Sequence, residues 1–293
     1  MILPEQLITQ IESYTGKTFS LQKSRSVAGG CINHAVSIET GDEKFFIKFN
    51  TANLVEMFNA EAAGLKELAK AAAIEVPAVI ASGCDQQQSW LILQHLQFAH
   101  GSADASELAG RQLAQLHHFT QAQHGWHQNN FIGSSPQINP RHDSWIDFWK
   151  QARLGYQLNL ARQKSFSGKV IQLTERLILD CDPLINHQPA ASLLHGDLWS
   201  GNLAYSLQGQ PVIFDPAVYY GDHETDLAMT ELFGGFSSRF YRAYQEIMPI
   251  SPDYRVRKQL YNLYHILNHM NIFGGGYGSQ AAGMAERLLA ELR

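Results

Sequence analysis

The sequence is poor in cysteine and has no long apolar run. Its three cysteines, Cys31, Cys84 and Cys181, are isolated and show no CxxC spacing. This excludes a disulfide framework and a zinc knuckle, and it favours a reducing compartment. No apolar stretch approaches the roughly 18 residues that span a bilayer. Glu5 and Glu12 stand where a secretion signal would need an apolar core. These absences predict a cytoplasmic protein with no membrane partner.

Charge is also scarce, and positive charge more so than negative. Charged residues make up 17% of the 293, and 22 Lys and Arg against 27 Asp and Glu give a net charge of −5. A general nucleic-acid binder needs the opposite sign, because its affinity comes from neutralising phosphates. The chain also has no Lys/Arg run, so we expect no nucleic-acid partner. With 45% hydrophobic residues, it has the composition of one large domain or two lobes.

Apolar periodicity divides the chain into a β-rich part and a mainly helical part. In the first part it predicts helices at residues 3–14 and 53–73 and strands at 19–27, 34–40, 44–50, 77–82 and 89–95. In the second part it predicts helices at residues 106–119, 144–165, 169–180, 222–232, 237–247 and 253–273, with a long ordered loop at 125–142. The expected fold is α+β and two-lobed, with residues 1–95 as a β-rich lobe and 96–293 as a helical lobe.

The most informative stretch is HGDLWSGN at residues 195–202, followed by PVIFD at 211–215. Apolar runs lead into Asp197 and Asp215, which places each at the end of a short strand. Phosphoryl transfer requires one carboxylate that accepts the proton of an attacking hydroxyl, and a carboxylate with a carboxamide that hold Mg²⁺. Asp197 fits the first role, and Asn202 and Asp215 fit the second. The spacing therefore predicts a kinase that uses ATP and Mg²⁺.

A kinase makes further demands near the start of the chain. It needs a glycine-rich turn between two early strands, a Lys on the third strand and a Glu on the following helix. Gly29 and Gly30 lie between the first two predicted strands, where glycines let backbone N–H groups approach phosphates. Lys48 lies in the apolar strand FFIKF, and Glu61 is on the next helix. We expect Glu61 to position Lys48 against the phosphates.

Taken together, these motifs resemble the fructosamine (ketosamine) kinases, a family in the aminoglycoside-phosphotransferase and choline-kinase branch of the protein-kinase-like fold. The resemblance runs the whole chain, through GGCIN, FFIKFN, MFNAEAAGL, FIGSSPQIN, HGDLWSGN and FDPAVYYGDHETDL. Trp199, which follows HGDL, and the segment 136–139 narrow the branch to this family. The resemblance implies phosphorylation of a sugar hydroxyl on a ketosamine, either free or carried on a protein.

The resemblance also implies roles for matching residues. It makes Asp197 the base, Asn202 and Asp215 the Mg²⁺ ligands, and Lys48 with Glu61 the phosphate-positioning pair. Gln94, His95 and Leu96 would be the hinge that holds adenine. Trp199, Trp145 and His269 are substrate candidates, as is Tyr277. Asp226 is expected to be a buried acceptor for the catalytic loop.

Other interpretations stay open at this point. A kinase for an aminoglycoside, choline or another small alcohol would use the same catalytic residues. His265 and His269 have the i, i+4 spacing of zinc ligands, although HExxH fails, so a metallohydrolase is a different-class alternative. A pseudokinase would need to have lost Asp197, Asn202, Asp215 or Lys48, and none is lost. Cys31 in the glycine-rich turn is a hypothetical redox-sensitive thiol. The sequence does not give the oligomeric state.

Overall fold

The structure, a computed structural model, describes residues 3–27 and 33–292. Its first part is an antiparallel five-stranded sheet with strand order β1-β2-β3-β5-β4. The elements of this part are α1 (Glu5–Thr15), β1 (Leu21–Val27), β2 (His34–Thr40), β3 (Glu43–Thr51), α2 (Val55–Lys70), β4 (Val79–Cys84) and β5 (Gln88–Gln94). The predicted helices and strands of this part are all present, with ends shifted by at most three residues. Gly29, Gly30 and Cys31 lie outside the described residues.

Alternation along β3 gives this sheet two different faces. Phe45, Ile47 and Phe49 pack with α1 on one side. Phe46 points to the other side, where it contacts an apolar cluster of α2 and β5. Lys48 shares that second face because it is two residues from Phe46. The strand therefore places one cation on the side of the sheet that α2 covers.

The second part is mainly helical with short strands. Its elements are β6 (Phe98–Ala99), α3 (Ala103–His117), β7 (Thr120–Gln121), β8 (Asn130–Ile132), β9 (Ser135–Gln137), α4 (Trp145–Phe148), a π-helical segment (Trp149–Gly155), α5 (Tyr156–Gln163), α6 (Lys169–Asp180), β10 (Ala191–Leu194), β11 (Leu203–Ser206), β12 (Pro211–Ile213), β13 (Tyr219–Gly221), α7 (Glu224–Leu232), α8 (Ser238–Gln245), α9 (Tyr254–Phe273) and α10 (Tyr277–Ala290). Its core is one large cluster centred on α9 and β10. The α+β, two-lobed prediction is confirmed.

Two features of this part differ from the sequence prediction. The predicted loop at 125–142 contains the β8–β9 hairpin, which the turn-rich composition concealed. Helix α10 was not predicted, because Gly274, Gly275 and Gly276 precede it and small residues fill its first turns. It buries Ala281, Leu288 and other apolar side chains against the core.

In the described part of the chain, no helix is long and apolar enough to cross a membrane.

The division between the two parts follows the strand pairing. Strand β5 ends at Gln94, and β6 pairs with β11 of the second part. We retain a boundary after residue 95 as a proposal.

Candidate active site

Lys48 is buried and stands at the centre of an ion cluster between the two parts. Its Nζ lies 2.6 Å from Glu61 Oε1 on α2 and 2.5 Å from Asp215 Oδ1 after β12. Burial opposes a charge on this amine, but the carboxylates of Glu61 and Asp215 raise the pKa of Lys48 above its ordinary value. The amine is therefore a fixed cation. Glu67, which is also on α2, accepts a hydrogen bond from the Tyr220 hydroxyl and does not contact Lys48.

The loop after β10 is held by a buried aspartate. Asp226 on α7 accepts from the backbone N–H of His195 at 2.7 Å and of Gly196 at 2.8 Å. Burial alone would raise the pKa of Asp226, but hydrogen bonds from His117 and Gly196 and the charge of His117 hold it below its ordinary value. Asp226 therefore stays an anion that fixes the loop carrying Asp197. This agrees with the sequence expectation for Asp226.

His195 adds a second support to the same loop. Its Nε2 lies 2.9 Å from the carbonyl oxygen of Phe214, so this nitrogen carries the hydrogen and donates. Its Nδ1 accepts from the backbone N–H of Asp197 at 3.3 Å. Burial lowers the pKa of His195, which keeps the ring neutral in this tautomer. The imidazole thus links the strand end before Asp215 to the backbone of Asp197.

Asp197 itself is an unusual carboxyl group. Burial, followed by the negative charges of Asp215 and Asp226, raises the pKa of Asp197 to about 7. A carboxyl with a pKa near neutrality accepts a proton more readily than an ordinary aspartate at the same pH. This environment suits the proton acceptor that the sequence predicted at this position.

The donor set around Asn202 and Asp215 fits a hard divalent cation. Asn202 Nδ2 donates to the carbonyl of Asp197 at 2.9 Å, which leaves its Oδ1 available. Among the described residues no hydrogen bond reaches that oxygen. The Asp215 side chain is 46% exposed, so a carboxylate oxygen is accessible beside its contact with Lys48. Carboxylate and carboxamide oxygens are the ligands that Mg²⁺ prefers.

The backbone around Asp215 is closely packed. Asp215 has a φ of 58°, in the left-handed region that a non-glycine residue rarely adopts. Gly196 has a φ of 83°, and a Cβ there would lie 2.0 Å from the carbonyl oxygen of Ala217. Ala217 N in turn donates to the His195 carbonyl at 2.9 Å. The segment 215–218 and the loop carrying Asp197 are therefore fitted to each other, and only glycine is accommodated at 196.

Helix α2 also lies directly against the segment 215–218. A Cβ on Gly64 would come within 3.2 Å of Val218 and 3.4 Å of Pro216. Three residues further along α2, Glu67 accepts from the hydroxyl of Tyr220 at 2.8 Å. Phe131, in the β8–β9 hairpin, packs against the α2 cluster. The helix that carries Glu61 thus contacts the segment 215–218 at Gly64, and it contacts Tyr220, just beyond that segment, at Glu67.

The predicted hinge begins at Gln94, the last residue of β5, and runs through Leu96 towards β6. The Gln94 backbone N–H donates to Ala78, and its side chain is exposed. Burial and the charge of Lys44 lower the pKa of His95. Sequence reasoning missed Phe98, which stacks on Phe214 with ring centroids 5.7 Å apart. The position of Phe214 directly before Asp215 was the available signal for this pair.

The structure separates the substrate candidates. Trp145 is only 3% exposed, its Nε1 donates to the Tyr261 hydroxyl, and its ring packs on Phe148 and Trp149. Helix α4 therefore directs the Trp145 side chain into the aromatic core, and we do not include this residue in the proposed acceptor site. Trp199, in contrast, is 38% exposed.

Trp199 begins a run of aromatic rings that we call the aromatic surface, formed by Trp199, Phe233, His269, Phe273 and Tyr277. Centroid distances are 6.5 Å from Trp199 to Phe233, 5.1 Å from Phe233 to His269 and 5.2 Å from His269 to Tyr277. His269 Nδ1 donates to the His265 carbonyl, and among the described residues no group of three potential metal ligands contains His265 or His269. Phe233, in LFGGF after α7, was missed.

Away from this site, one group of side chains among the described residues is close enough together to bind a metal ion. Its members are His187, Asp222 and Glu224, whose potential ligand atoms lie within 4.8 Å of one another. The Glu224 carboxylate is already bound by Arg257 at 2.6 and 2.8 Å, and Asp222 accepts from Tyr261. These contacts make the group a buried ion-pair network.

This architecture defines a class of protein, the kinase-like phosphotransferases. A crystal structure of aminoglycoside phosphotransferase APH(4)-Ia, in a ternary complex with AMP-PNP and hygromycin B, matches with a TM-score of 0.66 over 98% of each chain. The sequence identity is 15%, so this likeness concerns the fold alone.

The chain belongs to the fructosamine kinase family, whose profile matches residues 3–291. A Synechocystis protein named as a probable ketoamine kinase is 47% identical over 97% of this chain and 96% of its own length. The chloroplastic protein-ribulosamine 3-kinase of Arabidopsis thaliana is 40% identical over 95% of this chain and 86% of its own. A crystal structure assigned as a fructosamine-3-kinase, from Haemophilus somnus, matches with a TM-score of 0.89 at 29% identity, over 97% of this chain and 96% of that one.

Proposed function

We propose that this protein transfers the γ-phosphoryl group of ATP to a sugar hydroxyl of a ketosamine. The observation that carries the proposal is the convergence of Lys48, Glu61 and Asp215 within 2.6 Å beside Asp197 and Asn202, in a chain of the fructosamine kinase family. These are the groups that phosphoryl transfer requires, since its catalysis is mainly positioning and charge stabilisation.

In this proposal Asp197 orients the acceptor hydroxyl and accepts its proton. The pKa of Asp197 is raised to about 7, and a general base is most effective when its pKa is near the pH at which it works. Lys48, oriented by Glu61, supplies positive charge to the α- and β-phosphates. Asn202 and Asp215 would hold Mg²⁺, which supplies further charge that neutralises the triphosphate.

For the nucleotide base we propose a position beside the end of β5 and the Phe98–Phe214 pair. In this proposal adenine forms hydrogen bonds with the backbone of the hinge residues Gln94, His95 and Leu96, apart from the Gln94 N–H, which already donates to Ala78. The predicted glycine-rich turn at Gly29 and Gly30 remains part of the proposed phosphate site.

For the acceptor we propose the aromatic surface. A ketosamine joins a hydroxylated sugar chain to an amine and an alkyl stem, and aromatic rings stack on the apolar faces of such groups. The surface starts at Trp199, only two residues after Asp197 along the chain, and this closeness in sequence supports a position near the proposed base. Because Trp199 is 38% exposed, this end leaves space for an amine carrier, so we propose both free and protein-bound adducts as acceptors.

The test is ATP consumption in the presence of Mg²⁺ with a panel of acceptors: ribuloselysine, fructoselysine, free ribulose, choline and kanamycin. We expect turnover on a ketosamine, and none with the Asp197→Asn protein. Turnover only on choline or kanamycin would retain the catalytic residues but refute the ketosamine assignment. If no acceptor in the panel is turned over, the next measurement is how the protein binds ATP with Mg²⁺. That measurement would distinguish a kinase whose acceptor is not in the panel from a pseudokinase.

One substitution tests the acceptor surface. Trp199→Ala removes a ring whose stacking contributes roughly 0.5–1.5 kcal/mol, so we expect the KM for the ketosamine to rise about three- to tenfold while the KM for ATP is unchanged. An unchanged ketosamine KM would remove Trp199 from the acceptor site.

A further inference from the structure

The β8–β9 hairpin holds the segment 215–218 with two buried side-chain amides. Asn130 Nδ2 donates to the Val218 carbonyl at 2.7 Å, and Gln137 Nε2 donates to the Ala217 carbonyl at 3.0 Å. Gln137 is 1% exposed and Asn130 is 4% exposed. Both hydrogen bonds are therefore formed away from water, where losing one leaves an unsatisfied carbonyl.

These two amides are themselves held in a single orientation. Gln137 Oε1 accepts from the Tyr264 hydroxyl of α9 at 2.7 Å, and Asn130 Oδ1 accepts from Gln137 Nε2 and from Asn139 Nδ2, each at 2.9 Å. Arg153, in the π-helical segment, donates to Asn139 Oδ1 at 2.8 Å. Since each oxygen faces a donor, the amide nitrogens must face the Ala217 and Val218 carbonyls.

The segment they hold has a strained residue at its start. Asp215 adopts a φ of 58°, a conformation that persists only where surrounding contacts impose it. Gly196 packs against Ala217, Gly64 of α2 packs against Pro216 and Val218, and the hairpin amides bind the carbonyls of Ala217 and Val218. Removing the amides would take away one of these three sets of contacts.

We propose that Gln137 and Asn130 are positioning residues that set the location of the Asp215 carboxylate through the carbonyls of Ala217 and Val218. The inference rests on the proposed function, in which Asp215 binds the metal of the metal–nucleotide complex. Residues that do not bind a metal themselves but hold a metal-binding residue in place change metal affinity about 10- to 100-fold when they are removed. We expect that range for loss of Gln137.

The test measures Mn²⁺ binding in the presence of a non-hydrolysable ATP analogue, with free Mn²⁺ followed by electron paramagnetic resonance. We expect Gln137→Leu to weaken Mn²⁺ binding about 10- to 100-fold. In kinetic assays it should raise the KM for the metal–nucleotide and leave the KM for the ketosamine unchanged.

Gln10 offers a matched control. Its Nε2 donates to the Ser82 carbonyl at 3.1 Å and its Oε1 accepts from Trp90 Nε1 at 2.8 Å, a pattern like that of Gln137 but on the α1 side of the sheet. Gln10→Leu should lower the melting temperature without changing Mn²⁺ affinity. Equal weakening of Mn²⁺ binding in both variants would reduce the effect to general destabilisation and overturn the inference.

A milder variant keeps the test decisive if Gln137→Leu does not fold. Tyr264→Phe removes only the hydroxyl that orients Gln137, and we expect it to weaken Mn²⁺ binding about two- to fivefold. Wild-type affinity in the folded Gln137→Leu variant, or in Tyr264→Phe if that alone folds, would refute the positioning role and leave the proposed function intact. A wild-type protein that binds no Mn²⁺–nucleotide would instead refute the proposed function and this inference with it.

Discussion

Replacing Asp197 by Asn should abolish phosphoryl transfer and at the same time make the protein more stable at neutral pH. The reason is the raised pKa of Asp197, about 7 against an ordinary value of 3.8, which reflects burial and the nearby charges of Asp215 and Asp226. In the folded protein the ionised carboxylate is disfavoured, yet the proposed role of Asp197 as proton acceptor requires it. An active site that keeps a strained charge lowers the stability of the fold that contains it.

The magnitude follows from proton linkage. The folded-state pKa lies above the unfolded one, so stability is highest below pH 4 and falls as the pH rises to about 7. A difference of about three pH units corresponds to ~4 kcal/mol at most, at about 1.4 kcal/mol per unit. Between pH 5 and pH 8 about 2.5 kcal/mol of this is lost. The asparagine variant has no such ionisation and keeps its stability over that interval.

Thermal unfolding of both proteins at pH 5 and pH 8 measures the effect. A change of 1 kcal/mol shifts the melting temperature of a chain of this size by about 2 °C. We therefore expect the difference in melting temperature, Asp197→Asn minus wild type, to be roughly 5 °C larger at pH 8 than at pH 5. Asp42→Asn, which removes the same charge from an exposed turn, is the control and should show no gain. A gap between Asp197→Asn and wild type that is the same at both pH values would refute the reasoning.

Three further substitutions test other contacts of the site. Gly196→Ala should lower the melting temperature by ten degrees or more and abolish turnover, since its Cβ would lie 2.0 Å from the Ala217 carbonyl; near-normal stability would contradict this packing. Lys48→Met should cost ~3–5 kcal/mol because Glu61 stays buried without its partner, and Lys48→Met combined with Glu61→Leu should unfold at a higher temperature than the single variant. Trp145→Phe should leave the ketosamine KM unchanged, whereas a tenfold rise would return Trp145 to the acceptor site.

The ion cluster was predictable from the sequence because each member lies in a local pattern that fixes its placement. Lys48 is flanked by apolar residues of a strand, Glu61 lies among small residues of a helix, and Asp215 follows a short apolar run. Their order along the chain then specified which would meet. The structure has Lys48 and Glu61 in contact at 2.6 Å and adds the contact with Asp215, while their role in positioning phosphates stays a prediction.

The features that could not be predicted from the sequence depend mainly on tertiary packing. Trp145 and Trp199 are both aromatic and both near polar residues, and only the direction of α4 shows that Trp145 faces the core. Gln137 lay in a turn-rich stretch, where nothing local indicates that its amide binds the Ala217 carbonyl 80 residues away. Helix α10 was hidden by its glycines, although its later apolar residues have helical spacing.

The contacts of α2 bear on how such a protein is controlled. In protein kinases the corresponding lysine–glutamate pair is assembled or broken as the helix moves, and signals act on that movement. Here Gly64 is packed against Pro216 and Val218, and Glu67 is bound to Tyr220. Moving the helix outward would break these contacts. We therefore expect α2 to keep Lys48 and Glu61 paired, and not to act as a regulatory switch.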